Sequence, residues 1–221
     1  MSMVAMHMRI LILTSFCFVI AGCSPVSAQN FNLDSAPVVE VSEAAKPLVA
    51  AARKRLGANV IYDPRYVGIA YPNGDVPESM GVCTDVVIRS LRAAYGLDLQ
   101  KLVHEDMKEN FGAYPALWGH TRTDKNIDHR RVPNLEVYFY RMGQDLPITK
   151  APEDYKPGDI VAWRLDGNSG AGGLAHIGIV SDKLGVTGIP LIIHNIGGGP
   201  EESDMLFDHQ ITGHFRVVPA G

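Results

Sequence analysis

The chain has 221 residues, 46% of them hydrophobic and 20% charged, which is an ordinary composition for a folded domain. Its formal net charge of -4 excludes a surface that binds polyanions through bulk positive charge, so nucleic acid is not an expected partner. Ahead of the domain, Arg9 precedes the apolar run from Ile10 to Ala21, which is too short to span a bilayer comfortably and has the pattern of an export signal.

That signal is assigned to residues 1–22. The segment Ile20-Ala21-Gly22-Cys23 resembles the lipobox of bacterial lipoproteins, which implies a lipid anchor at Cys23 and a periplasmic, membrane-anchored protein. Ordinary cleavage near Ala28, giving a soluble periplasmic protein, is the alternative. Residues 23–42 are rich in small and polar types and read as a tether, leaving 43–221 as the domain. Cys17 leaves with the signal and Cys23 lies at its margin, so Cys83 is the one thiol expected inside the folded domain.

Helical periodicity predicts a first helix from Glu43 to Leu56, stopped by Gly57. A short strand is expected near Val60-Ile61-Tyr62, followed by a long structured loop. The next helix begins at Cys83 and runs to about Tyr95 before Gly96, with Val87 and Leu91 continuing the stripe of Cys83 toward the interior. A thiol at a helix start feels the positive end of the helix dipole, which favours the thiolate, although free cysteine is also among the most buried residue types. Further helices are expected at about 99–109, with Leu102, Val103 and Met107 inward, and at about 135–142. Between them, Asp128-His129-Arg130-Arg131 reads either as a solvated charge run or as a clamp in which Arg130 or Arg131 holds a substrate carboxylate.

From Lys156-Pro157-Gly158-Asp159 onward the chain turns β-rich, with runs at 160–164, 175–180, 191–195 and 211–218 and a flexible loop at 167–173. Helices first and a strand meander afterwards predict an α+β fold with N-terminal helices packed on an antiparallel sheet. Opposed residues of an antiparallel pair share one index sum, so a hairpin centred on Gly185 sets His176 opposite His194, Ile177 opposite Ile193 and Ile179 opposite Leu191. A slip by one residue would substitute Asn195. Gly178 leaves room there for close packing, such as the start of the cysteine helix. A histidine within reach of Cys83 can take its proton, and a second polar ring fixes the first one's tautomer, so Cys83, His176 and His194 are the candidate catalytic group. The same three side chains have the ligand types of a zinc site but lack its close ligand pairs, and no metal or other cofactor is expected.

The order of a cysteine at a helix start, Pro157-Gly158-Asp159 before a strand, and His176-Ile177-Gly178-Ile179-Val180 in the next resembles the NlpC/P60 papain-like fold. More specifically, Tyr62-Asp63-Pro64, the run from Gly81 to Arg89, the run from Ile127 to Asn134, and His194-Asn195-Ile196-Gly197 are similar to the DUF1287 family, which belongs to that broader group, over nearly all of residues 45–218. The resemblance implies an exported cysteine hydrolase cutting an amide in the cell envelope, with peptidoglycan stem peptides as the substrate class. It makes Cys83 the nucleophile, His176 the base and His194 the orienting residue. Tyr62, Tyr66, Tyr71, Asp85, Arg130 and Arg131 are the candidate substrate contacts. An acyltransferase on the same three residues and an envelope-binding module without chemistry are the alternatives. The insert that carries Asp128 to Arg131 departs from the usual NlpC/P60 pattern.

Overall fold

In a computed structural model that describes residues 35–165 and 174–218, four helices precede a five-stranded antiparallel sheet. The expected signal segment, Cys23 and the whole 167–173 loop lie outside the described residues. The helices are α1 (Lys46–Arg55), α2 (Cys83–Tyr95), α3 (Leu99–Glu109) and α4 (Val132–Arg141). Between α1 and α2 lie β1 (Ile61–Tyr62) and β2 (Met80–Gly81), which pair in parallel. The sheet comprises β3 (Ile160–Leu165), β4 (Leu174–Leu184), β5 (Pro190–Asn195), β6 (Pro200–Ser203) and β7 (Gln210–Phe215), in the order β6-β5-β4-β3-β7. The α+β expectation, with helices ahead of an antiparallel sheet, therefore holds.

Period-two alternation sorts the strand residues onto two faces. Ile160, Ala162, Ile177, Ile179, Ile193 and Phe215 pack with the inner stripes of the helices, including Leu48, Val87, Leu91, Val103 and Leu135. On the other face Val161, Trp163, Val180 and Ile192 pack with Tyr155, Met205 and Leu206, and the Trp163 indole donates to the Leu206 carbonyl at 2.9 Å. Each fully buried aliphatic or aromatic side chain of this kind contributes about 1.5–3 kcal/mol.

Local chemistry explains the helix bounds. α2 ends where Gly96 takes a left-handed conformation, φ 69°, and its N–H bonds back to the Arg92 carbonyl. α4 begins at Val132, three residues earlier than expected, because Pro133 sits in the first turn, where a missing N–H costs nothing. Two strands were not foreseen: β2, inside the long loop, and β6, just after the glycines at 197–199. Residues 36–39 lie inside the stretch read as tether, yet Ala36 is buried and Val38 pairs with Lys183 at the far end of β4. The tether reading therefore gives way at residue 36, because the open edge of β4 offers backbone partners there. Among the described residues no helix is long and apolar enough to cross a membrane.

The long loop between β1 and β2 is held by side chains from the helices. Arg89 grips the Asp75 carboxylate at 2.9 and 3.1 Å and also donates to the carbonyl of Val76. Gln100 donates to the carbonyls of Ala70 and Lys125 and accepts from the Gly74 N–H. This buried bonding explains why a Pro- and Gly-rich stretch packs as an ordered layer over α2 and α3.

Candidate active site

Cys83 is the first residue of α2, directly after extended Val82. Asp85 fixes this start: its carboxylate accepts the Val82 N–H at 2.6 Å and receives Arg130 through Nε at 3.0 Å and a terminal nitrogen at 2.9 Å. Thr84 Oγ1 donates to the Arg130 carbonyl at 3.2 Å, so the 3-10 turn Asp128–Arg130 is clamped to the helix start by both side chain and backbone. A carboxylate in the first turn also suits the helix dipole.

These contacts correct the reading of the charge run. Asp128, His129 and Arg130 are buried, so the run is not a solvated face. The side chains of Arg130 and Asp85 are 2% and 4% exposed and bond each other, so neither is presented to a substrate. Arg131 is separate: its guanidinium carbon lies 4.1 Å from the Trp118 ring centroid, and a terminal nitrogen lies 3.9 Å from Asp128.

The Cys83 thiol is buried in the core cluster with Ile177, as the helical stripe predicted. Burial pushes the thiol up to about 11, against the opposing pull of nearby backbone N–H groups at Ile177 and Thr84. The expectation of a dipole-stabilised thiolate is therefore corrected: at neutral pH the sulfur rests protonated.

His176 precedes Ile177 in β4 and lies on the opposite sheet face, opposite Trp163 of β3, so the structure brings the two histidines together on the face away from the one that buries Cys83. Its Nε2 lies 2.9 Å from His194 Nδ1, with the two rings at 87° and centroids 5.0 Å apart. The expected pairing of the two imidazoles is thus present, but not through the expected register. The turn centres on Thr187 instead of Gly185, with Leu184 opposite Pro190, and the irregularity between Val180 and Leu184 takes back part of that shift, so Ile179 opposes Ile193, two residues from the expected pairing, and the histidines meet diagonally. A displacement of two keeps both rings on one face. Burial lowers His176 to about 3, with His194 adding to the shift, and lowers His194 itself to about 4. Both rings are neutral at pH 7.

Gly178 makes room for this diagonal contact, not for the cysteine helix. A Cβ there would lie 2.6 Å from Ile192 Cγ2, 3.0 Å from His194 Cβ and 3.1 Å from the Ile193 carbonyl oxygen. Gly178→Ala is expected to lower stability by about 1–3 kcal/mol, read as a fall in the urea midpoint at unchanged slope.

Of the three tyrosines singled out, Tyr62 shares the electrostatic environment of the site: its phenol is raised to about 12 by burial first, then by Cys83 and Asp85. Tyr66 bonds to Asp124 and Asn126 at 3.0 and 2.7 Å, and Tyr71 sets its ring 5.4 Å from that of His104. Those two hold the long loop. Among the described residues no group of three or more His, Cys, Asp or Glu side chains is placed to hold a metal ion.

Two polar neighbours escaped the sequence reading. Ser203 Oγ lies 2.7 Å from His194 Nε2, and Glu201 Oε1 lies 3.7 Å from the same nitrogen. Both are on β6, where Glu201 opposes His194. The glycines at 197–199 are the signal that would have found them, since a turn there folds the following residues back on His194.

These features define an α+β protein in which a buried cysteine opens a helix against a sheet that carries paired neutral histidines. The chain belongs to the family described as "Domain of unknown function (DUF1287)", which it matches over residues 49–217. It is 56% identical over 165 residues to the uncharacterized protein YijF of Escherichia coli (strain K12), covering 75% of this chain and 78% of that protein. Among solved structures it is similar to an N-acetylmuramoyl-L-alanine amidase from Bacteroides uniformis ATCC 8492, at 16% identity and a TM-score of 0.47, covering 80% of this chain and 100% of that one.

Proposed function

We propose that the domain is a cysteine hydrolase of the papain-like NlpC/P60 kind, acting on an amide bond of the cell envelope, with peptidoglycan stem peptides as the substrate class. The observation that carries this reading is the bonding of His176. Its Nε2 is taken by His194 at 2.9 Å, which leaves Nδ1 to accept a proton when Nε2 is the donor, in the strand residue that precedes Ile177, a core neighbour of Cys83 on the other sheet face. The substrate class rests on the motif resemblance, not on a pocket.

Because the thiol rests protonated and the imidazole neutral, the reaction starts by general-base catalysis. In this mechanism the Cys83 sulfur and His176 Nδ1, which lie on opposite sheet faces at rest, come together so that His176 takes the Sγ proton as the sulfur attacks the carbonyl carbon, and backbone N–H groups at the start of α2 stabilise the oxyanion. The C–N bond then breaks, the amine leaves with the proton from His176, and a thioester on Cys83 remains. Water, deprotonated by His176, releases the acid and regenerates the thiol; an amine acceptor in place of water would give transfer. Arg130 and Asp85 serve by fixing where α2 begins. Export and a lipid anchor at Cys23 belong to the same proposal, since they bring the domain to that substrate.

The test is incubation of the protein with peptidoglycan stem-peptide fragments, followed by mass spectrometry of products and of Cys83. A new amine and acid pair is expected, abolished by Cys83→Ala and reduced by about 10²–10⁴-fold in His176→Ala. Absence of both product and acyl adduct, or cleavage that survives Cys83→Ala, overturns the reading.

A further inference from the structure

We propose that β6 sets the tautomers of the histidine pair, with Ser203 and Glu201 as positioning residues that keep Nδ1 of His176 free of a proton. The inference rests on the hydrolase reading above and adds to it the device that makes His176 a base at the correct nitrogen.

Two hydrogen bonds run in series, His176 Nε2 to His194 Nδ1 at 2.9 Å and His194 Nε2 to Ser203 Oγ at 2.7 Å. Two proton arrangements satisfy both. In the first, His176 Nε2–H donates to His194 Nδ1, and His194 Nε2–H donates to the serine oxygen. In the second, the serine hydroxyl donates to a bare His194 Nε2, His194 Nδ1–H donates to His176 Nε2, and His176 carries its proton on Nδ1. A serine hydroxyl can act in either sense, so Ser203 transmits a choice that another group must make.

Glu201 makes it. Its carboxylate only accepts, and Oε1 lies 3.7 Å from His194 Nε2. A negative charge beside that nitrogen favours a proton on it, since a lone pair facing the carboxylate would be repelled. Alternation along β6 puts Glu201 and Ser203 on one face, that of His194, because Glu201 opposes His194 and Ser203 opposes Ile192. The first arrangement therefore prevails, and in it alone is Nδ1 of His176 a proton acceptor. Two residues on an edge strand thus decide, through one intervening ring, which nitrogen of His176 carries its proton.

The test reads ring-nitrogen protonation directly by long-range proton–nitrogen NMR at pH 7.5, and in parallel the rate of Cys83 alkylation by iodoacetamide. Wild type and Ser203→Thr are expected to hold both rings as Nε2–H. Glu201→Lys, at a side chain 47% exposed where the fold tolerates change, is expected to move both rings to Nδ1–H. Ser203→Ala is expected to give a mixture. Alkylation should fall about tenfold in Glu201→Lys and Ser203→Ala and persist in Ser203→Thr. The proposal is overturned if wild-type His176 carries its proton on Nδ1, or if both disruptive variants keep the wild-type tautomers. If the tautomers shift as expected while His176→Ala leaves alkylation unchanged, the tautomer assignment stands and the hydrolase reading falls.

Discussion

Arg130→Met is expected to destabilise the domain by about 3–5 kcal/mol, enough to remove much of the stability a domain of this size possesses. The reason is the charge left behind. The Asp85 side chain is 4% exposed, and without the guanidinium its carboxylate keeps only the Val82 N–H as a bonding partner. Removing both charges together, in Asp85→Asn with Arg130→Met, should cost less than Arg130→Met alone, because no unpaired ion then remains inside. Urea unfolding of the two single variants and the double variant checks this, and a double variant no more stable than Arg130→Met would contradict it. Any loss of Cys83 reactivity in the surviving folded fraction would report the second role of the pair, which is to fix the first turn of α2.

Acidification from pH 7 to 5 is expected to remove about 2 kcal/mol of stability for each of three buried histidines, about 6 kcal/mol together. Burial lowers His129 to about 4, His176 to about 3 and His194 to about 4, against 6.5 when unfolded. The unfolded chain therefore binds protons more readily than the folded one. Stability is fully present above pH 6.5 and is lost as the pH falls toward the folded values. Asp128 and Glu136, raised by burial, act in the opposite sense, so substitution of the histidines isolates their share. Unfolding free energies at pH 7, 6 and 5 should converge between wild type and His129→Gln as the pH falls, and parallel curves would refute the assignment.

The parts of this architecture that obey local rules were legible in the sequence. α3 spans 99–109 as its periodicity predicts, and α2 runs from Cys83 to Tyr95 because a helix start and a left-handed glycine stop are both short-range signals. The alternating faces of β4 and β5 were legible too, which is why His176 and His194 were paired correctly even though their register was not. A register depends on where the turn centres and where a bulge falls, and the sequence around Gly185 announces neither the turn centred on Thr187 nor the irregularity between Val180 and Leu184. The fate of Arg130 was hidden for a different reason. Its partner lies 45 residues upstream, and a charge run looks the same whether it meets water or a buried carboxylate. The protonation state of Cys83 was also beyond reach, since the dipole is a property of the helix whereas the burial that outweighs it is a property of everything packed around it.

That burial has a consequence for the life of the sulfur itself. Oxidative damage climbs from an exposed thiolate to sulfenic acid and then to forms that cannot be reversed. Cys83 offers neither property at rest, being 4% exposed and protonated at neutral pH. Burial and protonation both slow its reaction with peroxide and with other thiols until the sulfur is deprotonated and exposed.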